Sequence, residues 1–349
     1  MKVAAIDRFG RPSVLKLHTV PVPVPGPSEV LIALHAAGVG VWDASVRDGS
    51  WRPFGRPKFP LIVGTDGAGI VVSKGARVRR FHIGDRLWAC HYANPKGGFY
   101  AEYIAVDAAH AGRVPKHLDL LQAGAGVTTG LTALQGIDDA LHLRADETVL
   151  IYGASGAVGT LAVQFAKWLR ARVVATASGS AATALVRGLG AEEVFDARGR
   201  DAVDQLRKVA PNGIDAALVL ASGDSLEGCL DIVRRRGRIA YPNGVEPEPR
   251  RRHNVRLLAY DAVAGPIQFA RLEQAASEAR LRVPIAAVYP LPQASKAHAR
   301  VERGHILGRS SSGSVAVTSE TAIQPLDSFV QFLDASLSFR PSVAVLGRS

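Results

Sequence analysis

The stretch 147–178, ETVLIYGASGAVGTLAVQFAKWLRARVVATAS, sets a short apolar run, three glycines at three-residue intervals and an amphipathic run end to end. Val149, Leu150, Ile151 and Tyr152, followed at once by Gly153, read as a buried strand ending in a tight turn. Val158, Leu161, Ala162, Phe165, Ala166 and Leu169 recur at helical spacing, so the turn feeds the N-terminus of a helix of about three turns. Glycine at such a junction admits left-handed dihedrals and close approach of a ligand, while the free N–H groups and positive dipole end of the helix attract an anion. The form is Ala154-x-Gly156-x-x-Gly159, a dinucleotide phosphate-binding turn with Ala where the first Gly of the usual fingerprint stands. Ala154, Ser155, Gly156, Ala157, Val158 and Gly159 are therefore the candidate pyrophosphate cradle. A tight turn in a fold that binds nothing would look the same, so the surroundings decide.

After residue 119 the chain alternates helix and strand, with candidate strands at 148–152, 172–176, 193–195, 214–220, 238–241 and 256–260. That rhythm predicts a doubly wound parallel sheet, and the glycine-rich turn is its first strand-to-helix turn, where a dinucleotide should bind. The first ~120 residues read instead as a β-rich unit, a partly open barrel or sandwich, with strands at 2–6, 14–17, 30–35, 69–72, 85–89 and 100–106 between Gly, Pro and Asn turn signals. Residues 271–281 and 291–303 are predicted helices that return the chain to this first unit.

Composition narrows the class. With 349 residues, 47% of them hydrophobic, and 35 Gly, the chain has material for two compact α/β domains. Two cysteines, Cys90 and Cys229, exclude a disulfide framework and a four-cysteine zinc site. With no leader and no unbroken apolar run of ~20 residues, the expectation is a soluble cytoplasmic protein without membrane partners. The net charge of +11 raises a nucleic-acid reading, sharpened by Arg234-Arg235-Arg236-Gly237-Arg238 and Arg250-Arg251-Arg252-His253. Neither cluster is interleaved with aromatics, and the first is read as the end of a helix, where arginines favour the negative dipole end. A solvated basic rim that steers an anionic cofactor is the expectation, and nucleic acid is not a predicted partner.

Several ordered blocks then carry a resemblance: VPVPVPGPSEVLIALHAAGVGVWDASVRDG, FPLIVGTDGAGIVVSKGARVRRFHIGDRL, GGFYAEYIAV, TTGLTALQGI, ETVLIYGASGAVG, ALVRGLGAEEVFD and HARVERGHILG. Together, over about residues 1–308, they resemble the medium-chain dehydrogenase/reductase superfamily in its zinc-free quinone oxidoreductase, zeta-crystallin-like branch. The resemblance implies a GroES-like catalytic domain of residues 1–122 and 264–308 wrapped around a Rossmann NAD(P)-binding domain of residues 123–263, usually as a homodimer; residues 309–349 form an atypical tail whose Ser/Gly-rich start reads as a linker or a disordered segment. The zinc-bearing branch carries Gly-His-Glu and a ligand Cys; the matching stretches here are Gly64-Thr65-Asp66 and residues 37–43, without them, so no metal is expected. Asp66, beside Gly67, is read as shaping a turn. The branch's Asn-x-x-Asp element survives as Asp43, with Gly40 in place of Asn.

By the same resemblance Thr129 should lie near the nicotinamide ribose or phosphate, Leu220 and Ala221 on the adenine side, and Asn243 and Gly244 against the nicotinamide. Beyond the second Rossmann strand stand Ala177-Ser178-Gly179-Ser180, with no carboxylate and two hydroxyls, which favours NADPH over NADH. The family's Lys and Tyr anchors are missing, and Arg187 or Arg198 are the candidate substitutes for the phosphate.

The cofactor carries the difficult chemistry; the protein has to position and desolvate. Without zinc an ordinary ketone is poorly polarised, so a quinone or an α,β-unsaturated carbonyl is the expected small-molecule substrate. Asp43 and Tyr92 are the candidate catalytic residues, Tyr100 a further proton source, and Trp42, Trp51, Phe54, Tyr92 and Phe99 the candidate walls for a flat acceptor. His91, His110 and His305 share no ligand spacing with a third group and read as isolated histidines. A non-enzymatic member of the fold, binding NADPH as a redox sensor or serving structurally, has the same binding turn. The tail diverges from the family after Arg309, and residues 314–317 are a partial candidate for the family's closing strand.

Overall fold

The computed structural model describes residues 1–51, 57–303 and the backbone of 321–324. Phe54, His305, Arg309 and residues 314–317 lie outside the described residues.

Short, largely buried strands form the barrel half: Lys2–Ile6 (β1), Leu15–Thr19 (β2), Glu29–Gly38 (β3), then helix Val41–Asp48 (α1), Leu61–Ile62 (β4), Asp66–Lys74 (β5), Arg86–Cys90 (β6), Tyr103–Asp107 (β7) and Ala111–Arg113 (β8). β3 runs antiparallel to both β5 and β7, and β5 to β6. Helix Leu120–Gln135 (α2) leaves this unit; Asp119 caps it by accepting from the Gln122 N–H at 2.7 Å.

The second half follows as Thr148–Tyr152 (β9), Ala157–Trp168 (α3), Arg172–Thr176 (β10), Ser180–Gly188 (α4), Glu193–Phe195 (β11), Ala202–Val209 (α5), Ile214–Val219 (β12), Leu226–Leu230 (α6), Val233–Pro242 (β13) and Arg256–Tyr260 (β14). The strands pair in parallel in the order β11-β10-β9-β12-β13-β14, a doubly wound Rossmann sheet with its switch point between β9 and β12. The central strands β9 and β12 are buried along almost their whole length, as a sheet covered by helices on both faces requires.

Pro266–Glu278 (α7), Ala287–Pro290 (β15) and Ala294–Glu302 (α8) return the chain, and Thr321–Gln324 (β16) inserts between β15 and β3. Part of the expected disordered tail thus supplies a strand of the barrel sheet. Two glutamines bracket α7. The Gln135 side-chain amide donates to the Val263 carbonyl and accepts from the Val263 N–H, each at 2.9 Å. Gln164 does the same to Arg282, at 2.9 and 2.8 Å.

α7 starts earlier than its apolar spacing predicts, because Pro266 at the first turn is already set to the helical φ. The helix predicted at 291–303 divides into a 3₁₀ turn, Leu291–Gln293, and α8. Arg234, Arg235 and Arg236 are not a helix end: α6 stops at Leu230 and these residues open β13, where Arg234 pairs with Asp215. Arg252 of the second cluster pairs with Glu227 and Asp231. Among the described residues no helix is long and apolar enough to cross a membrane.

Candidate active site

The glycine-rich turn shows why its residues are what they are. Gly153 sits at φ +89°, in the left-handed region, and a Cβ on Gly159 would lie 2.5 Å from the Gly153 carbonyl oxygen and 2.6 Å from the Ala154 Cα. The turn is tied to the sheet: the Gly153 N–H donates to Thr176 Oγ1 at 2.8 Å and the Ala154 N–H to the Thr176 carbonyl at 3.0 Å. Gly156 is the N-cap of α3, no side chain caps it, and no acidic residue stands in the first turn. The N–H groups that open α3 are therefore without an intrahelical partner and carry the positive end of the dipole.

A cavity of about 810 Å³ opens at this point and runs from the turn into the barrel half. Gly153, Gly156, Val158 and Gly159 line one end; Asp43, Thr65, Asp66 and Tyr92 line the other. Thr129, Leu220, Ala221, Asn243 and Gly244 also line it. Ala154 and Ala157 lie buried beneath the turn, and Ser155 and Ser178 are outside the lining. Thr128, Thr132 and Tyr260 are lining residues that sequence reasoning missed; Thr128 and Thr132 stand one turn apart on α2, on either side of Thr129, a signal available from the sequence. Among the described residues no Lys or Arg lines the cavity, so an anion at the turn meets backbone N–H groups and the helix end rather than a side-chain cation.

The aromatic wall is partly as expected. Trp42 and Trp51 rings are 5.6 Å apart, Trp51 and Tyr92 5.8 Å and T-shaped, and all three line the cavity. Phe99 instead packs in the barrel core. Across the cleft, a Cβ on Gly244 would come within 3.1 Å of Trp42, so the glycine lets the two halves meet.

Polar groups beneath the wall are buried. Asp43, at the start of α1, accepts from the Gly40 N–H at 2.8 Å, and its Oδ1 has no partner in hydrogen-bond geometry. Burial pushes its pKa from 3.8 to about 7; the Gly40 N–H opposes this, the charge of Asp66 adds to it, and the nearby Tyr100 and Thr65 hydroxyls oppose it. Asp66 does not shape a turn: it opens β5, is buried, and accepts from the Thr128 N–H at 2.9 Å. Burial lifts it to about 6 against the Thr128 bonds. Cys90 is buried beside them, accepts from the Thr128 hydroxyl at 3.2 Å, and burial raises its thiol further. The Tyr92 hydroxyl is likewise driven well up, chiefly by burial and then by Cys90 and the two aspartates. Tyr100 is fully buried, outside the cavity lining and behind Asp43. Among the described residues no three His, Cys, Asp or Glu side chains converge on a metal position. His91 and His110, read as isolated, in fact meet edge to face with ring centres 4.2 Å apart.

Beyond β10 a charge appears that the 177–180 stretch did not reveal. The Ser178 hydroxyl donates to Asp196 at 2.9 Å, and Arg198 forks onto the same carboxylate, one N–H at 2.6 Å. The Arg198 hydrogen bonds lead in lowering Asp196 to about 2. Arg187 sits in the last turn of α4, at the opposite end from Ser180.

Comparison with known proteins accords with this geometry. An alcohol dehydrogenase GroES-like domain matches residues 26–116, and a zinc-binding dehydrogenase domain matches residues 157–252. The quinone oxidoreductase of Sus scrofa is 32% identical over 310 residues, 85% of this chain and 93% of that protein. Among solved structures, an NAD-dependent alcohol dehydrogenase superposes with a TM-score of 0.80 at 27% identity, over 93% of this chain and 99% of the other. The quinone oxidoreductase of Coxiella burnetii gives 0.75 at 27% identity, over 93% and 99%.

Proposed function

The chain belongs to the medium-chain dehydrogenase/reductase family, in its quinone oxidoreductase-like group, and on that premise we propose that it is an NADPH-dependent, zinc-independent reductase of quinones or α,β-unsaturated carbonyls. The observation that carries the reading is one cavity joining an uncapped helix N-terminus to a buried, proton-holding carboxyl under an aromatic wall.

When bound, the nicotinamide supplies a hydride. The chain supplies the rest. The N–H groups of Ala157, Val158 and Gly159 hold the diphosphate; Thr129, Leu220, Ala221, Asn243 and Gly244 border the remainder of the cofactor. Trp42, Trp51 and Tyr92 form one aromatic wall against which a flat acceptor lies, and exclude water. As hydride addition places an electron pair on the acceptor oxygen, the Asp43 O–H bond breaks and its proton passes to that oxygen; the carboxylate is reprotonated from solvent. A carboxyl with a pKa near 7 is suited to this, since it is protonated before the step and a competent donor during it. Tyr92, with its raised pKa, keeps its proton and offers a hydrogen bond to the same oxygen.

The zinc-independent reading rests on the donor set: burial favours the protonated forms of Asp43, Asp66 and Cys90, whereas a zinc ligand has to give up its proton. An acceptor already conjugated needs no Lewis acid. NADPH is read from the two hydroxyls of 177–180; Ser178 and Arg198 are both bonded to Asp196, the opposing charge, and a 2′-phosphate would take that carboxylate's place on them. We read the protein as cytoplasmic and as a homodimer through the open edge of β14, which light scattering would check.

The test follows oxidation of NADPH and NADH at 340 nm against quinones, enones and simple ketones, with cofactor affinity measured by calorimetry. Turnover with conjugated acceptors, faster with NADPH and insensitive to chelators, is expected. Tight NADPH binding with no turnover on any acceptor would replace the enzyme with a cofactor-binding sensor.

A further inference from the structure

Behind the cavity a set of buried polar residues remains that the reduction chemistry above does not use. Arg47 is 1% exposed, four residues after Asp43 on α1, yet it does not turn to Asp43. Its guanidinium donates to the Gly10 carbonyl at 2.9 Å, pairs with Glu302, and stands 3.4 Å from His298 Nδ1. His298, wholly buried on α8, places its other nitrogen, Nε2, 3.1 Å from the Tyr100 hydroxyl oxygen, with the rings edge to face. The Tyr100 hydroxyl in turn acts on the Asp43 carboxyl, whose Oδ1 has no partner in hydrogen-bond geometry. The connection leaves α1 at Asp43 and comes back to it at Arg47.

Chemistry gives this chain a direction. A guanidinium only donates, so His298 Nδ1 must accept and the ring proton must sit on Nε2. That N–H occupies a lone pair of the Tyr100 oxygen, which leaves the tyrosine's own proton for Asp43. Burial and the Arg47 charge keep His298 neutral, its pKa lowered to about 3, so the ring stays in this one tautomer throughout the working pH range.

We propose that Arg47, His298 and Tyr100 are positioning residues: a one-way hydrogen-bond chain that turns the Tyr100 hydroxyl onto the Asp43 carboxyl and thereby governs when that carboxyl holds its proton. The claim deepens the reductase reading, in which Asp43 is the acid. The other groups acting on Asp43 are Asp66 on β5, Thr65 before it, and the Gly40 N–H. Asp43 itself acts on Cys90 and Tyr92. Apart from Tyr100, the chain leaves these in place. Glu302, whose side chain is 38% exposed, anchors the far end at the surface.

The test is made on the cofactor-free protein by NMR. In ¹⁵N-histidine spectra, His298, assigned by its loss in His298→Gln, should carry its proton on Nε2 and show no titration from pH 5 to 8; a proton on Nδ1 overturns the proposal. With ¹³C-labelled aspartate, the Asp43 midpoint should rise by about half a unit or more in Tyr100→Phe and His298→Leu, since each weakens a donor to the charged form. In His298→Gln, whose amide accepts from Arg47 and donates to Tyr100, it should stay at the wild-type value. Identical midpoints in all four proteins overturn the proposal. If His298→Leu does not fold, the wild-type tautomer and the Tyr100→Phe titration decide. The alkaline limb of kcat/KM should move in parallel. If the midpoints move as described while Asp43→Asn turns over normally, the chain stands and the acid role of Asp43 falls.

Discussion

The two walls of the cleft handle polarity in opposite ways. On the Rossmann side the glycine-rich turn presents backbone: it follows the apolar strand β9, with a left-handed Gly153 and a helix start that no side chain caps. On the barrel side the floor is side chains, with Asp43, Asp66, Thr65, Thr128, Cys90 and Tyr100 sunk below the aromatic wall. A diphosphate is always charged, so it can be met by fixed dipoles that never titrate. A proton donor must change state, and so needs a side chain whose pKa burial has moved. The contrast predicts that substitutions on the first wall act on cofactor affinity and those on the second on turnover and its pH profile.

The largest effect should come from Gly159→Val. Its side chain would be driven into the Gly153 carbonyl and the Ala154 backbone, so the turn has to open. Calorimetry should show cofactor affinity reduced by two orders of magnitude or more, about 3 kcal/mol, with the Asp43 titration unchanged. If that titration moved too, the walls would not be independent. Next, Asp43→Asn should lower kcat with a quinone by roughly 10²- to 10⁴-fold and abolish the alkaline limb near pH 7, while cofactor affinity holds.

Stability should show the same division. A carboxyl whose folded pKa is raised holds a proton that the unfolded chain releases, so its contribution is complete below 3.8 and is lost as pH rises to about 7. At about 1.4 kcal/mol per unit this is on the order of 4 kcal/mol. His298 works the other way: its folded pKa is depressed, so stability falls as pH drops from 6.5 towards 3. Melting temperatures of Asp43→Asn against wild type should therefore gain on wild type from pH 4 to 7; a constant difference would sink the raised pKa. Trp51→Ala should raise KM for a flat acceptor about tenfold, and leave cofactor affinity alone. The smallest effect belongs to the adenosine end, where Arg198→Ala should cut the NADPH over NADH preference several-fold and Asp196→Asn should increase it. Unchanged ratios in both would remove the reading of this cluster.

The same contrast explains what could be read in advance. The Rossmann wall is local: strand, turn and helix are consecutive, so 147–178 alone shows the pattern, and β9, β10 and β11 fall where the apolar runs put them. The barrel wall is assembled from residues distant in the chain. Asp66 looked like a turn residue beside Gly67, and only the fold brings Thr128 onto it from 62 positions away. Asp196 was invisible as a neighbour of Ser178 because parallel pairing of β10 with β11, rather than sequence proximity, joins them. His298 had a signal that went unused: it shares the spacing of the buried Ala294, Ala297 and Val301 on α8. β16, drawn from beyond the chain's divergence from its family, had none.

The reciprocal amide bonds of Gln135 and Gln164 have a consequence for dissecting the molecule. They give α7 the same kind of two-point backbone attachment that neighbouring strands give one another, so this helix is mechanically a member of the Rossmann unit although it follows that unit's last strand. An excised coenzyme-binding fragment that stopped at 263 would leave Gln164 facing an empty socket; one carried on to 282 would keep both clasps shut.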